Sequence, residues 1–165
     1  MITAFILQEE TDSYNEIGFG DLAMNLEDLL GVKGTDVYRI HPEASLAEVV
    51  NKLVEYNCGS LVVCDGEKMV GIITERDILK AFDSRNGAAL EEVTVQSQMT
   101  PDVITGTLED EIEQIMGIMT KNRIRHLPVL TDGKISGLIS IGDVVKAQHA
   151  QLCMENHYLK EYIQN

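Results

Sequence analysis

The chain has 165 residues, 44% of them hydrophobic and 24% charged, which is enough for one globular domain with a modest core and argues against global disorder. Its formal net charge of −14 excludes nucleic acid and anionic membrane surfaces as partners, because cationic side chains supply most of the affinity for phosphate. No apolar run approaches the ~20 residues that cross a bilayer.

The N-terminal region is acidic: Glu9, Glu10, Asp12, Glu16, Asp21, Glu27 and Asp28 occur in the first 32 residues without a single Lys or Arg. Residues 1–23, polar and interrupted by Gly18 and Gly20, read as a mobile extension. Met1 to Leu7 lacks the basic flank and length of a secretory leader, so the cytoplasm is the expected compartment. Cys58, Cys64 and Cys153 are odd in number and form no CxxC, which agrees with reduced thiols.

Residues 26–30 suggest a short helix ended by Gly31 and Gly34. Ser45 and Glu48 then form a capping box for a helix whose apolar face is Leu46, Val49, Val50 and Leu53, at i, i+3, i+4 and i+7. Two apolar strands follow, Gly59 to Val63 and Met69 to Ile73, and the second runs into Thr74-Glu75-Arg76-Asp77 and a helix carrying Ile78, Leu79 and Phe82. Gly87 to Ser97 reads as a linker, and Pro101 keeps Thr100 extended.

From there the pattern repeats at an offset of 66 residues, the separation of Asp77 and Asp143. Val37 matches Val103, Leu61 matches Leu127, Gly71 matches Gly137 and Lys80 matches Lys146. The helical face recurs as Ile112, Ile115, Met116 and Met119, with Asp110 and Glu113 at its start, and the strand Ile135 to Ile139 leads into Ser140-Ile141-Gly142-Asp143. Each copy reads β-α-β-β-α. A unit of roughly 46 residues is too small to bury an adequate core alone, so two copies packed sheet to sheet are expected, with two equivalent clefts between them. The expected fold is α+β: repeat one over residues 24–87, and repeat two over 88–165 ending in a long helix. That helix, from Asp143 to about Ile163, carries Val145, Leu152 and Leu159 every seven residues. The stripe exceeds what a small domain can cover and fits a homodimer seam, or a fold-back onto the chain's own domain.

Strand, hydroxyl, two spacers, carboxylate, helix is a geometry that suits an adenosine ligand. The helix N-terminus favours anions, and the aspartate can accept hydrogen bonds from both ribose hydroxyls. One such tetrapeptide alone reads as a helix cap; matched duplication favours binding. Phosphates would need a local cationic cluster in so acidic a chain, for which Arg76, Lys80, Arg123, Arg125 and His126 are available. Arg123 and Arg125 also suit the end of a helix, and His126 a hydrogen-bonded structural ring. The two copies differ here, since repeat one has Asn57, Gly59 and Ser60 where repeat two has this basic run, and Arg76 where repeat two has Gly142. Two unlike sites are expected, with more of the phosphate contacts coming from repeat two.

The motifs GIITERD and GLISIGD, with Gly59-Ser60-Leu61-Val62-Val63 and Arg125-His126-Leu127-Pro128-Val129, resemble a tandem cystathionine β-synthase (CBS) domain pair, or Bateman module, of the small stand-alone bacterial type. The resemblance implies a non-catalytic regulatory module that binds AMP, ATP or NAD(H) between its repeats, usually as a homodimer acting on a further protein target. Carried onto this sequence, the ligand-binding residues are Thr74, Arg76, Asp77, Thr105, Arg125, His126, Pro128, Ser140 and Asp143. Thr105 fits the family's hydroxyl on the first strand; Arg39, at the matching position of repeat one, departs from it. One alternative is a structural or protein-binding pair without ligand. Another is a metal or redox site on the last helix, where His149, Cys153 and His157 recur every fourth residue. Neighbours in that row could share a metal, but the outer two are separated by ~12 Å of helix and could not. No nucleophile–base set, Walker loop or GxGxxG is present to suggest an enzyme.

Overall fold

The computed structural model describes residues 24–84 and 89–164; the N-terminal extension and the first residues of the linker lie outside that range, as do the side chains of His157, Tyr158, Glu161 and Gln164. The elements in chain order are α1 (Leu26–Lys33), β1 (Arg39–Ile40), α2 (Leu46–Glu55), β2 (Ser60–Asp65), β3 (Lys68–Thr74) and α3 (Glu75–Ser84). A 3₁₀ turn (Leu90–Glu92) follows, then α4 (Val95–Gln98), α5 (Ile112–Asn122), β4 (His126–Thr131), β5 (Lys134–Ser140) and α6 (Ile141–Gln164). The expected α+β repeat and the long final helix are both observed.

In the first half β1 runs parallel to β2, and β2 pairs antiparallel with β3 in the order β1-β2-β3. The second half keeps the β4–β5 hairpin, with a register shift at Val129/Leu130 matching the one at Val63/Cys64. Its first strand shrinks to a single parallel bridge between Gly106 and Val129. Proline is the physical reason. In the first half the Val62 N–H donates to the Tyr38 carbonyl (3.0 Å), and the residue matching Val62 is Pro128, which has no N–H to give.

The described residues form two apolar cores, and each half lends a segment to the other. Leu26, Leu29 and Leu30 of α1, with Met24, are buried among Ile112, Ile115, Leu127, Ile139 and Val144 of the second half. Val93 and Val95 are buried among Leu46, Val49, Leu61 and Ile73 of the first. Backbone bonds fasten both crossings: the Ile112 N–H donates to the Met24 carbonyl (3.0 Å) and the Leu46 N–H to the Val93 carbonyl (2.9 Å). The matched glycines make room for them. A Cβ on Gly137 would stand 2.5 Å from Leu30, and one on Gly71 would stand 2.7 Å from the Met99 sulfur.

Two local expectations are corrected by these crossings. The helix at residue 26 runs through Gly31 to Lys33, because an Asn25–Asp28 capping box starts it and its leucines are buried; only Gly34 (φ +93°) ends it. Asp110 does not cap α5 either. The Leu26 N–H takes the Asp110 carbonyl, and the Asp110 carboxylate instead accepts the Thr107 N–H (2.8 Å).

Helix α6 buries Val144, Ala147 and Ala150. Val145, Leu152 and Leu159 remain 55, 49 and 60% exposed, so the heptad stripe is not part of the chain's own core. Leu79, the residue matching Val145, is likewise exposed on α3, beside an exposed Phe82. No helix among the described residues is long and apolar enough to cross a membrane.

Candidate functional site

A cavity of about 360 Å³ opens between the halves, within the size range of small-molecule sites. The first half contributes Gly59, Ile72 and the run Thr74–Asp77 with Lys80; the second contributes Thr100, Asp102 to Ile104 and Asn122 to His126. Thr74 ends β3 and α3 begins at the next residue, so Asp77 lies in the first helical turn and folds back on the strand end. One of its carboxylate oxygens, Oδ2, accepts the Thr74 N–H (3.0 Å) and hydroxyl (2.7 Å). The other, Oδ1, has only a long contact to Lys80 Nζ at 3.4 Å. The motif is therefore a helix cap that still presents one carboxylate oxygen.

Facing it is the basic run of the other half. Helix α5 ends at Arg123, which takes the left-handed conformation (φ +54°) and turns the chain into β4; Asn57 does the same after α2 (φ +48°). The Arg123 carbonyl accepts from Arg76 Nη1 at 3.5 Å, which joins the two halves across the cavity. Arg76, Lys80, Arg123, Arg125 and His126 line the space together with Glu75, Asp77 and Asp102, a cationic excess in a strongly acidic chain. Ile72, Val103, Ile104 and Ile124 supply apolar wall.

Of the expected site residues, the cavity brings together Thr74, Arg76, Asp77, Arg125 and His126. The basic run of the second half thus meets the motif of the first. Thr105, Pro128, Ser140 and Asp143 do not line it. Thr105 is half-buried just before the Gly106 bridge, and Pro128 is buried opposite Leu138 in the hairpin. Ser140 and Asp143 repeat the cap geometry: Asp143 Oδ2 accepts the Ser140 N–H (2.8 Å) and hydroxyl (2.7 Å).

At this second motif lies a residue that sequence reasoning missed. Lys33, in the last turn of α1, donates to Asp143 Oδ2 (2.6 Å) and to the Leu138 carbonyl. Burial alone would raise the Asp143 carboxyl, but the Lys33 ammonium and the Ser140 donors outweigh it and hold the group below its ordinary value. In sequence Lys33 was only a lysine beyond the expected helix of residues 26–30, and its counterpart in the other repeat is the uncharged Met99. His126 is likewise held below its ordinary value, which for a histidine favours the neutral ring, by burial first and by Lys33 next. Its imidazole packs on Gly59, where a Cβ would stand 3.2 Å from Cε1.

Burial raises the thiols of Cys58 and Cys64, which keeps them protonated. On α6, Cys153 Sγ lies 3.8 Å from His149 Nδ1 and both are exposed; the described residues contain no group of three metal-ligating side chains.

The family model of the CBS domain matches residues 28–84 and again 90–150. An uncharacterized 17.7 kDa protein of Acidianus ambivalens is 41% identical over 115 residues, 68% of either chain. Among solved structures, a CBS-domain-containing protein of Agrobacterium tumefaciens is 40% identical with a TM-score of 0.73, over 76% of this chain and 99% of that one. A CBS domain pair solved in complex with 5-methylthioadenosine and S-adenosyl-L-methionine is 26% identical with a TM-score of 0.69, over 79% of this chain and 99% of that one.

Proposed function

The chain belongs to the CBS domain family, and from that premise we propose that it is a non-catalytic regulatory module binding a phosphate-bearing adenosine nucleotide (AMP, ATP or NAD(H)) in the clefts between its repeats. The observation that carries the reading is one cavity lined both by a capped aspartate and by a cationic cluster drawn from the two halves. Asp77 Oδ1 accepts the ribose hydroxyls, the branched walls of Ile72, Val103, Ile104 and Ile124 hold the adenine, and Arg76, Arg123, Arg125 and His126 meet the phosphates. Ser140 and Asp143 serve the second cleft, to which Thr105 and Pro128 are assigned by the family resemblance.

A related pair takes two adenosine derivatives, which supports the nucleoside half of this reading. One of those ligands carries a sulfonium cation. The cationic excess here disfavours such a charge and favours phosphate, since charge-assisted bonds to phosphate oxygens are the strong ones. The exposed apolar residues Leu79, Phe82, Val145, Leu152 and Leu159 support association as a homodimer, and the free, protonated thiols of Cys58 and Cys64 fit the cytoplasm.

Calorimetric titration with AMP, ATP, NAD, NADH, adenosine and S-adenosylmethionine tests the proposal. Phosphorylated ligands should bind at least ten-fold tighter than adenosine. No binding by any of them, or a preference for the sulfonium, overturns it; a folded dimer without ligand would instead favour a pair that serves only protein contacts.

A further inference from the structure

We propose that Lys33 is a positioning residue of the second cleft: arriving from α1, it holds Asp143 ready for a ribose and ties occupancy of that cleft to the seating of the N-terminal helix. This rests on the nucleotide-binding reading and adds a residue outside both copies of the hydroxyl–aspartate motif.

The two aspartates are equivalent in their own loops and unlike in what surrounds them. Each gives Oδ2 to the hydroxyl and amide at its strand end. Only Asp143 also receives an ammonium on that oxygen, and the same ammonium is fixed from a second side by the Leu138 carbonyl. Because Lys33 shares the oxygen already used by Ser140, Asp143 Oδ1 remains to accept a diol. The residue matching Lys33 in the other copy is Met99, which lies against Gly71 and brings no charge to Asp77.

Lys33 is also held from behind. Leu26, Leu29 and Leu30 anchor α1 in the second core, and Gly34, one residue later, turns the chain away in a conformation that favours glycine. The ammonium is thus delivered by a rigid element rather than by a loop, as precise sites require. The groups around Asp143 are Lys33 from α1, Ser140 at its strand end, His126 on β4 with Arg125 and Glu75 beyond it, and Lys146 one turn along α6. Without Lys33, burial would act on the carboxyl with less opposition, and protonation would begin at a higher pH.

The experiment is calorimetric titration of AMP into the full chain carrying Asp77→Ala, so that the second cleft is read alone, with and without Lys33→Met and Lys33→Arg, from pH 3.5 to 8. Thermal unfolding of each preparation verifies the fold. Lys33→Met should weaken AMP about ten-fold or more at pH 7, and its affinity should begin to fall at a higher pH than that of the parent. Lys33→Arg should recover most of the loss. Lys33 also acts on His126, so the two profiles are compared with His126→Gln in both chains, and the remaining difference reports Asp143. Unchanged affinity and an unchanged pH profile in Lys33→Met overturn the inference while leaving the nucleotide reading intact. A uniform loss at every pH with no recovery by arginine also overturns it, as a merely structural helix contact. If the wild-type chain itself binds no AMP, the nucleotide reading falls and takes this inference with it; binding in the wild type that Asp77→Ala abolishes overturns the inference alone.

Discussion

Asp77→Ala separates the ligand-binding reading of the motif from the helix-cap reading. Asp77 is buried and its carboxylate already accepts the Thr74 N–H and hydroxyl, so its removal has a structural cost whatever the function. Loss of a cap costs about 1 kcal/mol, which for a chain of this size lowers the unfolding midpoint by about 2–4 °C. If Oδ1 also accepts a ribose hydroxyl, a hydrogen bond to a charged group worth about 1.5–3 kcal/mol disappears from the complex, which is roughly a 10- to 150-fold loss of affinity. Asp77→Asn keeps an oxygen acceptor without the charge and should fall between. Calorimetry with AMP and thermal unfolding on the same preparations give both quantities. Asp143→Ala should abolish the other class of sites and leave this one. A lowered midpoint with unchanged AMP affinity in both alanine variants would refute the reasoning and leave the aspartates as caps.

Two further outcomes concern the protonation state and the assembly. His126 favours the neutral ring in the fold, so the unfolded chain binds the proton more readily; stability should decline as pH falls below about 6.5, the ordinary histidine value. Urea unfolding at pH 7.5 and 5.5 should show a smaller decline in His126→Gln. The Asp143 contribution, from a carboxyl held low, persists to more acid pH and is lost only as pH falls through its lowered value, so the two windows are distinct. Truncation after Lys146 removes Leu152 and Leu159 with most of α6 and should weaken a homodimer whose interface would ordinarily bury ~1,600 Å² in total. Light scattering at several concentrations, with and without AMP, reads this; a full-length monomer at high micromolar concentration under both conditions would contradict the dimer.

What the amino-acid sequence determined alone is what local chemistry and periodicity carry. The Ser45–Glu48 capping box, the i, i+3, i+4, i+7 faces of α2 and α5 and the strands running into Thr74 and Ser140 were legible to within a residue or two. The 66-residue offset then made the two-repeat architecture legible, because one repeat cannot bury a core by itself. The hydroxyl–aspartate pairs were legible for the same reason: their partners lie three residues apart.

Tertiary structure decided everything that depends on residues distant in the chain. A helix reading of residues 26–30 contains no sign that its leucines belong to the second core, so its true end at Gly34 and the displaced capping role of Asp110 were hidden. Pro128 was visible as a residue, but its missing N–H matters only once Tyr38 is seen accepting from Val62 in the matched half. Packing placed Arg123, Arg125 and His126 against the motif of the opposite half, in one cavity with Thr74 and Asp77. The Lys33–Asp143 pair joins residues 110 positions apart, and no periodicity connects an isolated lysine to its carboxylate. Side chains recognise each other through distance in space, and only the fold sets that distance.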